Sequence, residues 1–349
     1  MKQALLAICP LFLFLCALSC AEKSNKESAD KSVGAEKAPK KIKLIFDTDA
    51  NNELDDQHAL AYLLLNGDVF DLKGITVNAT INGKGIQGHY DEAERIMQLC
   101  NLKNAVPLLK GAEGNFEPIA KDFDPNHFDG QEAVDFILEE TLRDSLIVVA
   151  VGKLTNIALA LKKDPTFAQR TKIVWLGSNY PEPGEYNQDN DTLSMNFVLN
   201  SAIPFEMVTV RYGKPSGTDA VAVTKDEINA KMPGLGPTAT EPIIGRHGGT
   251  FTTFGDYSID LFEHIFDHIN HEGAKNSRPL FDMAALAILK NNAWAEPQTV
   301  PAPILIDNNW VARPTNPRKI LVWENFDKTA ILDDLFDTLA HPIPIVASQ

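Results

Sequence analysis

From residue 42 onward, short apolar runs alternate with stretches whose apolar positions recur every three or four residues. Residues 42–47 read as a strand and 56–66 as the helix that follows. A second strand is predicted over 70–78. A helix over 87–99 then carries Tyr90, Ala93, Ile96 and Met97 on one face. Residues 106–109 form a short third strand and 130–143 a helix. The run 145–151 (Ser-Leu-Ile-Val-Val-Ala-Val) is almost unbroken in its apolar character, as expected of a strand covered on both faces. A helix over 154–162, a strand over 172–176, a polar loop over 177–191, a helix over 192–201 and a strand over 206–210 continue the alternation. This pattern predicts an α/β fold with a mostly parallel central sheet and helices on both faces. Beyond Arg211 the pattern changes. Residues 214–253 are rich in Gly, Pro and Thr and are predicted to loop out. Helices are predicted over 257–269, 281–290 and 329–340. Residues 303–306 and 319–323 are predicted to pair as a small antiparallel unit within a C-terminal α/β appendage.

The chain has 349 residues, 44% of them hydrophobic, ample for one sizeable core. Its formal net charge of −15 comes without a basic patch, so nucleic acid is not an expected partner. The first residues stand apart. Lys2 precedes an apolar run from Ala4 to Leu18 that is short for a membrane span and fits an export signal. Ala17-Leu18-Ser19-Cys20 resembles a bacterial lipobox, with Ala17 where Leu is usual, and an ordinary signal peptide is the alternative. The expected organisation is a signal over 1–19, a lipidated Cys20 opening a flexible tether over 20–41, and one folded domain over 42–349. That places the protein in a bacterial cell envelope, periplasm or outer membrane, touching the membrane only through its lipid. Of the four cysteines only Cys100 lies in the folded part. It falls on an apolar helical face and is predicted to be buried and inert.

The densest chemistry lies between the first strand and its helix, in Asp47-Thr48-Asp49-Ala50-Asn51-Asn52-Glu53-Leu54-Asp55-Asp56. Five carboxylates within ten residues repel one another unless a cation compensates them. Hard divalent ions take such oxygen ligands. The other reading is a solvated acidic loop that favours the start of a helix. In open α/β sheets, ligands bind beyond the carboxyl ends of the strands, where this loop falls.

Asp47-Thr48-Asp49…Asp55-Asp56 with Ala59 resembles the Asp-x-Asp-Pro-Gly-x-Asp-Asp signature of the nucleoside hydrolases. Further blocks are similar to that family in the same order. They are Gly74-Ile75-Thr76-Val77, Pro107-Leu108-Leu109-Lys110-Gly111-Ala112, the run from Ala150 through Leu154-Thr155-Asn156 to Ala160, Glu185-Tyr186-Asn187 with Asp191, and Phe281-Asp282-Met283-Ala284-Ala285. The resemblance implies a Ca²⁺ held by Asp49, Asp56, Asp282 and the Val151 carbonyl. It implies that Asp55 accepts a hydrogen bond from a ribose 2′-hydroxyl, and that Asn179, Glu185 and Asn187 hold the sugar. Asn78 and Asn82 are both candidates for a further ribose contact. The implied reaction is hydrolysis of the N-glycosidic bond of a ribonucleoside or related ribosyl compound by direct attack of water on the ion. Asp49 takes the proton, and no covalent nucleophile is needed.

Two departures stand out. The acidic loop is two residues longer than the family's, so Asn51, Asn52 and Glu53 are candidates to line the pocket. Phe281 stands where the family has a His that assists the leaving base. His247 is the best substitute, and a surface His is the other reading of it. His264 and His268 share a helix face and are expected to be solvated rather than a metal pair. Two rival functions remain: a ribose- or nucleoside-binding lipoprotein that keeps the ion without turnover, and a haloacid-dehalogenase-type phosphatase using Asp47 as nucleophile. The substrate is a small ribosyl compound on the first reading, and a homo-oligomer stays open.

Overall fold

The structure, a computed structural model, describes residues 40–265 and 276–346. The signal, Cys20, nearly all of the tether, and His268 lie outside the described residues. Eight strands build the central sheet: β1 (Ile42–Thr48), β2 (Phe70–Val77), β3 (Leu108–Lys110), β4 (Leu146–Ala150), β5 (Thr171–Leu176), β6 (Phe205–Val208), β7 (Glu296–Pro301) and β8 (Lys319–Glu324). Their order is β7-β8-β6-β5-β4-β1-β2-β3. Every neighbouring pair is parallel except β7 with β8. The chain winds outward from β1 in both directions, so the strand order reverses between β1 and β4. That is the switch point at which an open α/β sheet leaves a crevice beyond its strand ends.

The sheet divides the core into two apolar layers. Leu44, Phe46, Val149 and Val174 point to one face, Ile45, Val148, Ile173 and Trp175 to the other, the period-two alternation of a strand. Helix Asp55–Leu64 is buried along its whole length and ties its layer together. Its His58 is fully buried. The Nδ1 donates to the Leu54 carbonyl at 2.6 Å, and Nε2 accepts from Ser258 Oγ at 2.7 Å. Phe254 and Phe262 meet the ring edge-on. Burial lowers the His58 pKa from 6.5 to about 4. The unfolded chain therefore takes up a proton here that the fold refuses, and stability falls as the pH drops from about 6.5 to about 4. The full effect is about 3 kcal/mol at about 1.4 kcal/mol per pKa unit. His58→Leu should flatten the acid limb of a denaturation profile over that window, and an unchanged limb would show that the imidazole is not buried neutral.

The structure departs from the sequence expectations in the C-terminal third. Residues 303–306 do not pair with 319–323. Strand Ile304–Ile306 pairs with Asn309–Val311, and β8 enters the main sheet beside β6. Ile320, Val322 and Trp323 of β8 are buried, which a two-stranded appendage cannot provide. β7 was hidden by Pro297 and Pro301. It is an edge strand with its side chains largely exposed, where proline is tolerated. The stretch 214–253 is not all loop. Ala222–Thr224 pairs with Ser277–Pro279, and helix Lys225–Lys231 starts with a Thr224/Glu227 capping box. Cys100 is free and buried, as expected.

Candidate active site

Asp47, at the end of β1, is fully buried. It accepts hydrogen bonds from Thr76 Oγ1 (2.6 Å), Asn78 Nδ2 (2.7 Å) and Asn156 Nδ2 (2.7 Å). Burial pushes its pKa up to about 6, against those three bonds. Its oxygens are thus spent joining β1, the end of β2 and helix Thr155–Lys163, and they leave nothing for a nucleophile.

Two residues on, Asp49 is also fully buried. Thr80 Oγ1 and Asn52 Nδ2 both donate to its Oδ2 at 2.6 Å. Its Oδ1 has no hydrogen-bond partner among the described residues. Asp55 and Asp56 open helix Asp55–Leu64, where the helix dipole favours negative charge. Thr48 Oγ1 donates to Asp56. Asp282 precedes helix Met283–Lys290 and makes no capping bond with its side chain. Carboxylate oxygens of Asp55, Asp56 and Asp282 all lie within 4.8 Å of one another, and all three residues are buried. Burial first, and then the neighbouring carboxylates, hold Asp49, Asp55 and Asp282 well above the ordinary carboxylate range. Burial raises Asp56 to about 6, with the Thr48 bond opposing it.

Three converging carboxylates, an unpaired buried Asp49 oxygen and an unpaired buried Asn187 Oδ1 form an all-oxygen donor set. That chemistry fits a hard divalent cation. The trio differs from the ligand set expected from sequence. Asp55, expected to be catalytic and to meet the sugar rather than an ion, belongs to it. Asp49 lies beside it without being one of the three.

Asp55, Asp56, Asp282 and Asn187 border a cavity of about 540 Å³ at the carboxyl ends of the strands, whereas Asp49 is not in its lining. Val151, just after β4, lines it, and its carbonyl accepts from Asn187 Nδ2 at 2.8 Å. Glu185 also lines it, but its carboxylate is already occupied. It accepts from the backbone N–H of Ser178 (2.7 Å), Asn187 (3.0 Å) and Gln188 (2.9 Å), capping helix Tyr186–Asn190.

Asn78, Asn179 and His247 are not in the lining. Asn78 lies beneath the floor, committed to Asp47, and Asn82 reaches the cavity instead. Asn179 bridges the Pro183 carbonyl and the Tyr212 N–H at 2.9 Å each, which is loop chemistry. His247 accepts from Arg246 Nε at 2.9 Å and stacks on His264 with ring centroids 4.5 Å apart.

Of the longer loop, Asn52 and Glu53 line the cavity, while Asn51 turns to the Gly83 carbonyl at 2.8 Å. The sequence reading missed Tyr212, Asp219 and Arg278. Tyr212 was findable, since it closely follows β6 and strand ends carry ligand contacts. A lone arginine four residues before Asp282 gives no such signal.

The sequence pattern of the family described as inosine-uridine preferring nucleoside hydrolase matches residues 44–331. This chain belongs to that family. Over 202 residues it is 29% identical to the probable uridine nucleosidase 2 of Oryza sativa subsp. japonica, covering 49% of this chain and 57% of that protein. An uncharacterized protein of Schizosaccharomyces pombe is 36% identical over 106 residues, 27% of this chain and 34% of its own. The chain thus spans between a third and somewhat over half of the length of these curated relatives. A solved plant nucleoside hydrolase superposes with a TM-score of 0.67 at 16% identity, covering 86% of this chain and 99% of its own. A purine-preferring ribonucleoside hydrolase from Gardnerella vaginalis gives 0.65 at 19% identity, covering 85% and 98%. Those two likenesses concern the fold. The family match extends over the acidic loop, Val151, Glu185, Asn187 and Asp282 together.

Proposed function

We propose that this family member hydrolyses the N-glycosidic bond of a ribonucleoside or a related ribosyl compound, and that it depends on Ca²⁺ to do so. The observation that carries the reading is the buried Asp55, Asp56 and Asp282 trio, opening on a cavity at the sheet's switch point. A divalent cation held there supplies the charge that positions sugar hydroxyls and water. Asp49, with its unpaired Oδ1, accepts the proton that the attacking water loses. Carboxylates on this side stabilise the positive charge that grows on the sugar as the bond to the base stretches. Asn187 presents its free Oδ1 while the Val151 carbonyl holds its amide. Family membership removes the phosphatase reading.

The test is a panel of purine and pyrimidine nucleosides incubated with the purified protein, with chelator and with Ca²⁺ restored. Base release that chelator abolishes and Ca²⁺ restores is the expected result. Saturable nucleoside binding without base release would instead establish the binding-protein reading. Release that is indifferent to chelator would refute the cation dependence.

A further inference from the structure

We propose that Arg278, positioned by Glu53, supports the departing base as the glycosidic bond breaks; this rests on the hydrolase reading above. The bond between the sugar carbon and the base nitrogen breaks with its electron pair going to the base. Water adds its oxygen to the sugar carbon and gives a proton to Asp49. The base leaves negative and takes a proton from solvent, and Asp49 returns its own proton to solvent, so sugar and neutral base balance the water consumed. Carboxylates answer only the positive half of that charge separation. The negative half needs a hydrogen-bond donor, preferably a cationic one.

Among the described residues, Arg278 is the only Lys, Arg or His in the cavity lining. It is 5% exposed, and its guanidinium lies 5.6 Å over the ring of Phe281, the residue next to Asp282. Tyr212 meets the same ring edge-on, with centroids 6.0 Å apart, so two aromatic rings of the cavity lining pack beside the cation. Glu53 comes from the lengthened acidic loop. It accepts from Arg278 Nε at 2.8 Å and pairs with Nη2, a two-point contact that fixes the guanidinium plane. Two of the five N–H groups serve that pair. Arginine stays protonated through the reaction, so it acts by donating hydrogen bonds and charge rather than a proton. Arg278 is thereby the catalytic group, and Glu53 is a positioning residue.

The discriminating experiment compares a nucleoside with 4-nitrophenyl riboside, whose phenolate departs with little help. In Arg278→Gln, kcat/KM on the nucleoside should fall about 100-fold and on the nitrophenyl riboside less than about tenfold, the scale of assistance to a leaving group. Arg278→Lys, which keeps charge and loses the fork, should fall between. The Glu53→Gln/Arg278→Gln double variant removes the pair without leaving a partly buried carboxylate unpaired, and it should show the same split if the single variant misfolds. Equal losses on both substrates, in single and double variants, would overturn the assignment while leaving the hydrolase reading intact. A wild-type protein inert towards both would sink the hydrolase reading and this inference with it.

Discussion

Asp282→Asn should cut base release by about three orders of magnitude while making the cation-free protein more stable. The two effects share one cause. Every influence on the Asp282 carboxyl pushes its pKa upward: burial first, then Asp55, Asp56, Asp49 and Glu185. The side chain makes no compensating cap bond. Without a cation, the ionised carboxylate therefore opposes folding. Because its folded pKa is raised, that cost is absent below about pH 4, the usual carboxylate range, and grows as the pH rises through the folded pKa. Asparagine keeps the shape and removes the charge. In chelator at neutral pH the variant should melt above wild type, and the gap should close on acidification. With Ca²⁺ present the order reverses, since one of three anionic ligands has gone. A thousandfold loss in kcat/KM corresponds to about 4 kcal/mol of transition-state stabilisation. Calorimetric titration with Ca²⁺ and paired thermal melts would decide the matter. A variant that melts below wild type in chelator would mean that Asp282 is structural, not a ligand held at the fold's expense.

The central α/β pattern was readable because strands buried on both faces must be apolar throughout. Hence 145–151 announced β4 within a residue or two of its observed limits. The acidic loop stood out because its charges are neighbours in sequence, but its spacing alone left a solvated loop open, and only the later blocks of the family pattern favoured a site. What could not be read depends on contacts between distant residues. β8 looks the same as an appendage strand until β6 is known to lie beside it. The Glu53–Arg278 pair joins residues 225 positions apart, and neither partner has a local pattern that implies the other. Asn78, Asn179 and Glu185 show a further limit. All three were expected to hold the sugar, and of them only Glu185 lines the cavity. Hydrogen bonds to Asp47, to the Tyr212 loop and to backbone N–H groups already occupy the Asn78 amide nitrogen, Asn179 and the Glu185 carboxylate, leaving the Asn78 Oδ1 without a partner among the described residues. Sequence position identified the neighbourhood but not the free valences.

The same separation between floor and site makes Asp47→Ala a test of architecture. Two opposing terms decide its sign. Removing the carboxylate relieves the burial cost that lifts its pKa from 3.8 to about 6, worth about 3 kcal/mol. It also strands three buried donors, Thr76 Oγ1, Asn78 Nδ2 and Asn156 Nδ2, at about 1–3 kcal/mol each. The second term wins at mid-range, leaving a net loss of about 3 kcal/mol and a Tm lower by about 5–10 °C. Asp47→Asn relieves the charge and keeps one acceptor oxygen, and the Thr76 hydroxyl can turn to accept from the new amide. It should therefore lose less than half as much. The floor also sets the active side. Asn78 packs against Gly152, where an added Cβ would come within 2.9 Å of Asp49 Oδ1. Any sag in the three bonds therefore reaches the proton acceptor, and Asp47→Ala should lose activity well below its melting range. If Asp47→Ala melts within about 2 °C of wild type and keeps full activity, the three bonds carry no net free energy. The rigidity of the site must then come from the apolar layers above and below the sheet.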